Sequence, residues 1–484
     1  MFISLEYSKS YYDSEKFMGL YKEMLVVKLF VFTFVIRDIA QSARILGVFQ
    51  MPSVSHQCVF QSLWKELSLR GHEVTVVTPN PLRDPSLTNL TEIDVSYMYE
   101  IMQRHGFQYF MSKELPIYNG STVNFDLIIA QTYVSPILYT LSAKLNVPII
   151  GISSMGGWIG SHIAMGNPNI AALYSEMFLH YNGIMTFYER LSSTIYNLWV
   201  RYFLTFEALP KGDQIARKYL GNGIPYLGDV EKNLSLLFLT TNTMLYTPRP
   251  TVPTIIPIQQ LHINPYRNYH ILGSNVKSVN MAERLRNVLI ETFAELPYTV
   301  LWKWESDELP GKPDNVITKK WLPQQDLLAH PNIKVFITQC GLQSIEEAIS
   351  REVPMVGVPF IADQPMNIKR LVEIGVAIGI DYLTVTKEEL KSAIVEVAEN
   401  NRYKENMVSL RNLLQDEPMR PLDKAVWWTE YVLRHKGTGH LKQPMSELSW
   451  FEYLLADVFL VIILMLTLVV YACTKLIQSL IKLK

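Results

Sequence analysis

Short apolar runs alternate with helix-period segments in two separate halves of this chain, and that alternation constrains its fold more than any other feature. Arg44-Ile-Leu-Gly-Val-Phe49 reads as a buried strand, residues 56–70 as a helix ending before Gly71, and His72-Glu-Val-Thr-Val-Val77 as the next strand. Asp126–Ala130, a helix from about Ser135 to Leu145, and Val147–Ile152 repeat the unit. Strands that are apolar on both faces and separated by helices belong to a parallel sheet covered on both sides. The aromatic stretch Phe187–Phe206 reads as a helical excursion. After Pro248-Arg-Pro-Thr-Val-Pro253 a second series begins, with strands at His270–Leu272, Tyr298–Trp304, Val335–Thr338, Met355–Pro359 and Val376–Ile380. Its helices fall near 281–295, 344–351, 364–374 and 387–399. At 484 residues the chain exceeds what one hydrophobic core organises. The expected fold class is therefore α/β, with two doubly wound domains facing each other across a cleft and ligands at the carboxyl ends of the strands.

The two ends carry a different message. Leu454–Thr474 is apolar for about twenty residues, long enough to cross a bilayer as one helix. Lys475, Lys482 and Lys484 follow it, while Glu447 and Glu452 precede it, so the positive-inside rule puts the tail in the cytosol and the bulk of the protein on the other side. Leu25–Ile36 is an apolar run followed by the small residues of Ala40-Gln41-Ser42-Ala43, as in a signal peptide, and Met24 reads as the functional start. The sequons at Asn89, Asn119 and Asn233 fit lumenal exposure. The expected organisation is an extension and signal peptide over 1–43, a first domain over 44–265, and a second domain over 266–445. A membrane-proximal segment and transmembrane helix over 446–474 and a cytosolic tail over 475–484 complete it.

Composition removes several classes of function. A net charge of -1 with 18% charged residues offers no electrostatic reason for a nucleic-acid partner. The three cysteines, Cys58, Cys340 and Cys473, have neither zinc-site nor disulfide-framework spacing. No Asp-x-Asp arrangement suggests a metal for a diphosphate, so no metal and no cofactor are expected.

The most informative segment runs from Trp321 to Gln364. Phe336-Ile-Thr338 ends a strand, a tight turn containing Gly341 follows, and a helix opens near Ser344. The free backbone N–H groups of such a helix start form an anion site suited to a diphosphate. Glu347, three residues on, reaches either a capping position or a ribose diol. With Trp321-Leu-Pro-Gln-Gln-Asp-Leu-Leu328 ahead of it and Val353-Pro-Met-Val-Gly-Val-Pro-Phe-Ile-Ala-Asp-Gln364 behind, the segment resembles the signature of the UDP-glycosyltransferase family. Gly273-Ser-Asn275, Arg420-Pro-Leu-Asp-Lys-Ala425 and Arg434-His-Lys-Gly437 extend the resemblance from about Arg44 to the membrane helix. Thr-Gln-Cys-Gly-Leu-Gln-Ser and Val-Ser-His-Gln are most similar to the arthropod membrane-bound branch.

The resemblance implies two Rossmann-like domains in a GT-B-like arrangement, with a UDP-sugar as co-substrate. It implies that Trp321 stacks on the uracil and Gln324 bonds the base edge. Ser274, Gln339, Gly341, Gln343 and Ser344 would surround the diphosphate, Glu347 would hold the ribose hydroxyls, and Asp363 and Gln364 the hydroxyls of the transferred sugar. The base would be His56, deprotonating an acceptor hydroxyl as it attacks the anomeric carbon in one inverting displacement. Where the family has a carboxylate to orient that histidine, this chain has Gln131, an amide that accepts a hydrogen bond but adds no negative charge. Asp126 is no substitute, lying at the other end of the strand with opposite parity. Where the family has His-Gly-Gly, this chain has Gln339-Cys340-Gly341, which puts a Cβ beside the diphosphate. Between Leu261-His-Ile263 and Gly273 the chain is shorter than the family pattern by on the order of twenty residues. The expected activity is hexosyl transfer, with glucose favoured by branch, to a small lipophilic acceptor in the endoplasmic reticulum lumen. Arg249 would serve either sugar, and homo- or hetero-oligomers stay open. The alternative is a membrane-anchored relative that binds a ligand or partner subunit without turnover.

Overall fold

The computed structural model describes residues 42–104, 124–132, 136–181, 183–241, 244–263 and 278–482. The signal-peptide run, the Asn119 sequon, Ser274, the His270–Leu272 strand and the shortened connection lie outside the described residues. In the first half, β1 (Arg44–Val48), β2 (Glu73–Thr78), β3 (Leu90–Asp94), β4 (Leu127–Gln131), β5 (Ile149–Ser153), β6 (Leu236–Thr240) and β7 (Ile255–Ile258) form one sheet in the order β3-β2-β1-β4-β5-β6-β7. Every ladder is parallel, with Ile45 opposite both Val74 and Leu127, and Ile128 opposite Ile149. Side chains alternate between the two faces of a strand, which places Ile45, Leu127, Ile129 and Phe238 in one core. Leu46, Val48, Ile128 and Leu237 go to the other. Both faces are covered, so the strands carry uninterrupted apolar runs.

Helix α1 (Val54–Leu69) follows β1 and buries Phe60, Leu63 and Trp64 against the first of these cores. Strand order reverses between β2 and β4, on either side of β1, and this switch point opens at the carboxyl ends of β1 and β4. The stretch from β1 into α1 is pinned there. Gln57 Nε2 donates to the carbonyls of Phe49 (3.1 Å) and Met51 (2.8 Å), and Thr78 Oγ1 donates to Gln57 Oε1 at 3.0 Å. The excursion is helical as its pattern implies, with α2 at Phe187–Phe203 opened by a Thr186–Glu189 capping box.

In the second half β8 (Val300–Lys303) pairs with β9 (Val316–Lys319), and β10 (Phe336–Thr338), β11 (Met355–Gly357) and β12 (Ala377–Gly379) pair in that order. All these ladders are parallel. Around them lie α3 (Glu283–Ala294), α4 (Gln324–Leu328), α5 (Leu342–Ser350), α6 (Gln364–Ile374), α7 (Lys387–Glu399) and α8 (Asn401–Gln415). Helix α9 (Pro421–His435) then returns to the first half, burying Ala425, Val426 and Val432 in the core of the seven-stranded sheet. Helix α10 (Ala456–Lys482) is exposed along its length, with a mean hydropathy of 2.6 over an 18-residue window, and is long and apolar enough to cross a membrane.

Candidate active site

His56 sits in the first turn of α1, at the switch point. Its Nδ1 makes a short hydrogen bond with Ser154 Oγ. Burial lowers its pKa from the ordinary 6.5 to about 4. Gln131, the last residue of β4, is buried but does something other than orient the imidazole. Its Oε1 accepts the backbone N–H of Met51 at 3.2 Å, and its Nε2 has no partner among the described residues. The expected contact from Gln131 to His56 is therefore replaced by one from Ser154. Residue 131 closes β4, where the Met51 N–H occupies its side-chain carbonyl oxygen, whereas Ser154 directly follows β5 and reaches the imidazole. Asp126 is held at the amino ends of β1 and β4, the far side of the sheet from His56, where its Oδ2 accepts the Arg44 N–H at 2.7 Å.

The donor motif comes together as a network. Helix α5 opens at Leu342 with Gly341 as its N-cap, two residues earlier than the pattern implies. Leu342, Gln343 and Ser344 thus present the N–H groups that the helix itself cannot satisfy. A Cβ added at Gly341 would meet no protein atom within 4 Å, and its φ is an ordinary −67°, so the glycine leaves open space at the helix start. Gln324 Nε2 donates to Glu347 Oε2 at 2.6 Å and to Ser344 Oγ at 3.1 Å. Gln325 Nε2 donates to Glu347 Oε1 at 3.1 Å. Trp321 is half-buried, with the Lys303 ammonium 5.7 Å from its ring centroid and its indole N–H without an acceptor among the described residues.

Cys340 corrects one expectation. Its side chain is fully buried with Leu342, Ile345 and Ile368, so its Cβ faces the core and not the helix start. Its φ of 63° is left-handed, which explains why a glycine suits the position in the family pattern. Gln339 beside it is half-buried. At the far end of the motif, Asp363 is buried and accepts from Asn367 Nδ2 at 2.7 Å, and burial raises its pKa. Gln364 Oε1 accepts the N–H groups of Phe360 and Ile361, which shapes the loop ahead of α6.

Three residues of this region escaped the pattern. His262 Nε2 donates to the Gln343 carbonyl at 3.1 Å, which leaves its Nδ1 unprotonated 3.6 Å from Glu346 Oε2. Glu346 is fully buried, and its pKa is pushed up to about 8, while that of Glu347 rises to about 7, in both cases chiefly by burial. Ser154 is the third. Its carbonyl accepts Gln343 Nε2 at 2.8 Å, so one residue joins the donor helix to His56. His262 stood in the sequence only as a landmark, and a serine after a strand carries no signal of its own. Arg249 is committed elsewhere, donating to Pro168 O and Asn169 Oδ1 and lying over Tyr174.

Two halves built on parallel sheets, brought together where the switch point of the first meets the start of α5, have the architecture of a GT-B glycosyltransferase. The fold matches that of a solved glycosyltransferase of kitacinnamycin, 21% identical with a TM-score of 0.53, over 82% of this chain and 100% of that one. Residues 112–483 match the family model described as UDP-glucoronosyl and UDP-glucosyl transferase. The UDP-glycosyltransferase UGT5 of Dactylopius coccus is 32% identical over 90% of this chain and 93% of its own length. An ecdysteroid UDP-glucosyltransferase of the Spodoptera littoralis nuclear polyhedrosis virus is 30% identical over 90% and 97% respectively. The chain belongs to the UDP-glycosyltransferase family, whose members transfer a sugar from a UDP-sugar co-substrate without a resident cofactor.

Proposed function

We propose that this protein transfers a hexose, glucose in the first instance, from its UDP-sugar to a hydroxyl of a small lipophilic acceptor, with inversion. The observation that carries this reading is the junction at Ser154, where the half holding the base and the half holding the donor motif touch through one residue. With Nδ1–H donating to Ser154 Oγ, the other imidazole nitrogen keeps its lone pair and takes the acceptor proton. The acceptor oxygen forms the new bond to the anomeric carbon as the bond to UDP breaks. The departing diphosphate gathers charge at the start of α5, where free N–H groups face it. Trp321, Gln324 and Glu347 are assigned to the nucleoside; Ser274, Gln339, Gly341, Gln343 and Ser344 to the diphosphate; and Asp363 and Gln364 to the sugar. Glucose and a lipophilic acceptor draw support from the viral relative's name. In this reading α10 anchors the chain in the endoplasmic reticulum membrane, with both domains lumenal, residues 44–265 serving the acceptor and 266–445 mainly the donor.

The second reading, a binding protein with little turnover, is favoured by one observation. Gln131 is spent on the Met51 N–H, and the partner His56 does have is neutral, so no carboxylate stabilises an imidazolium. One assay separates the two: UDP release from UDP-glucose with a panel of phenols, for the intact protein and His56→Ala. A general base contributes about two to four orders of magnitude. Loss on that scale supports transfer; equal release from both proteins removes His56 from the mechanism.

A further inference from the structure

A hydrogen bond carries the first half of the chain onto the sugar end of the donor motif. His180 Nε2 lies 2.9 Å from the carbonyl oxygen of Ala362, 182 residues away. A carbonyl only accepts, so Nε2 bears the proton and donates. Ala362 stands between Ile361 and Asp363, in the loop over 360–364 that leads into α6. Both ends of the bond have unusual backbone. His180 has a φ of 56° and Ala362 one of 58°, left-handed values that a residue with a Cβ adopts at a cost. Such conformations persist only where the surroundings over-determine them, and they gather at sites that hold a ligand in place.

The strap that bears His180 is fixed on either side of it. Ahead of it, Glu176 Oε1 accepts the Ile159 N–H at 2.6 Å, which ties the strap to the helix Ile159–Ala164 that follows β5 and Ser154. Behind it, the Tyr181 hydroxyl lies 3.0 Å from Ser192 Oγ on α2. The loop that His180 reaches is held from within at its other polar groups. Gln364 Oε1 takes the N–H groups of Phe360 and Ile361, and Asn367 Nδ2 donates both to Asp363 Oδ2 at 2.7 Å and to the Cys340 carbonyl at 2.9 Å. The carbonyl of Ala362 takes its partner from the first half instead. Asp363 is the N-cap of α6, yet its side chain caps none of the helix N–H groups. The carboxylate is therefore not spent on the helix backbone. Turning the peptide between Ala362 and Asp363 would swing that side chain, so a donor that fixes the carbonyl also fixes where the carboxylate points.

We propose that His180 is a positioning residue for the sugar end of the donor site: by donating to Ala362 O from the opposite half, it aims the Asp363 carboxylate at the hydroxyls of the transferred hexose. The proposal rests on the assignment of Asp363 to the sugar. The uridine end does not depend on it, because Trp321, Gln324 and Glu347 all belong to the second half.

The test compares UDP-glucose with UDP, which lacks the sugar, by calorimetric titration of the full chain. Losing one hydrogen bond of this kind changes an affinity by about two- to tenfold. His180→Ala should weaken UDP-glucose by that factor and leave UDP as it was, and the unchanged UDP affinity shows in the same experiment that the fold is intact. His180→Gln, whose amide can donate, should recover most of the loss. In an Asp363→Ala background, His180→Ala should cost nothing further, since its effect passes through that carboxylate. Equal weakening of UDP and UDP-glucose overturns the proposal and leaves His180 as a tie between the halves. No change in either, or losses at 180 and 363 that add, overturns it too. The transfer reading fails separately: UDP-glucose bound with the expected split but never turned over sinks transfer alone, whereas turnover with an unaltered affinity in His180→Ala sinks the positioning role alone.

Discussion

The two sides of the active site are built by opposite means. On the donor side, polar groups are densely packed: Glu347 holds two glutamine amides, Gln324 also reaches Ser344, and His262 lies between Glu346 and Glu347, with its Nδ1 and Glu346 Oε2 left without a hydrogen-bond partner among the described residues. On the base side the polar groups are sparse, with His56 meeting one hydroxyl and the amide nitrogen of Gln131 unsatisfied. Buried charge is costly, and the hydrogen bonds around these carboxyls offset only part of the cost: burial still raises Glu346 to about 8 and Glu347 to about 7. The base side avoids the cost by having no carboxylate at all. A dense network fixes geometry for binding, while burial lowers the histidines of both sides, His56 and His262, to about 4, which leaves His56 neutral and a weak base.

The comparison is tested most severely at Glu347. Glu347→Ala takes one acceptor from each of the Gln324 and Gln325 amides, which keep Ser344 Oγ and the His262 carbonyl, so UDP affinity should fall by ten- to a hundredfold and stability by about 1 kcal/mol. Calorimetric titration with UDP and denaturant melts measure the two, and unchanged values would show that the network is decorative. Gly341→Ala should separate binding from folding. The backbone accepts a side chain there, so the melting temperature should hold while UDP affinity drops about tenfold, the methyl group meeting ligand and not protein.

On the base side, Ser154→Ala should lower kcat several-fold with little change in the KM for UDP-sugar. Ser154→Asp should raise the His56 pKa and carry the acid limb of the rate profile upward from about 4. If Gln131→Asp moves that limb and Ser154→Asp does not, position 131 partners the base after all.

The smallest effect concerns pH. Glu346 and Glu347 titrate near 8 and 7 in the fold against an ordinary 4.5, so across that interval the unfolded chain binds fewer protons, and stability falls as pH rises. His56 and His262, lowered to about 4 from 6.5, act in the opposite sense, gaining stability as pH rises, and have finished doing so by about pH 6.5. Between pH 6.5 and 8 the raised glutamates dominate, with Glu176 and Glu231, also pushed up to about 7 by burial, acting in the same sense, so the melting temperature should decline by a few degrees. Glu346→Gln should flatten that decline, and an unchanged slope would place the titration elsewhere.

Much of this architecture was legible in the chain itself. Period and polarity are local, so β1, β2, β4, β5, β10, β11 and most helices of the second half could be read from neighbours in sequence. The edge strand β3 was missed because Leu90-Thr-Glu-Ile-Asp94 is half polar, as a strand with one open side can be. Strands β6 and β7 follow the helical excursion, where no alternating unit announces them. The donor motif was legible because one strand–turn–helix holds most of it, and covalent spacing fixes its geometry.

What the order of residues could not contain is which side chains meet from distant segments. Ser154 reaches His56 across 98 positions and Gln343 across 189, and only the tertiary fold, which brings the residue after β5 to α1 and α5, makes either contact. The same holds for Cys340, turned inward by a left-handed backbone, and for α9, which leaves the second half to complete the first core. Local pattern sets the elements and the family chemistry. The partners of a buried group are set by what else must fill the space around it.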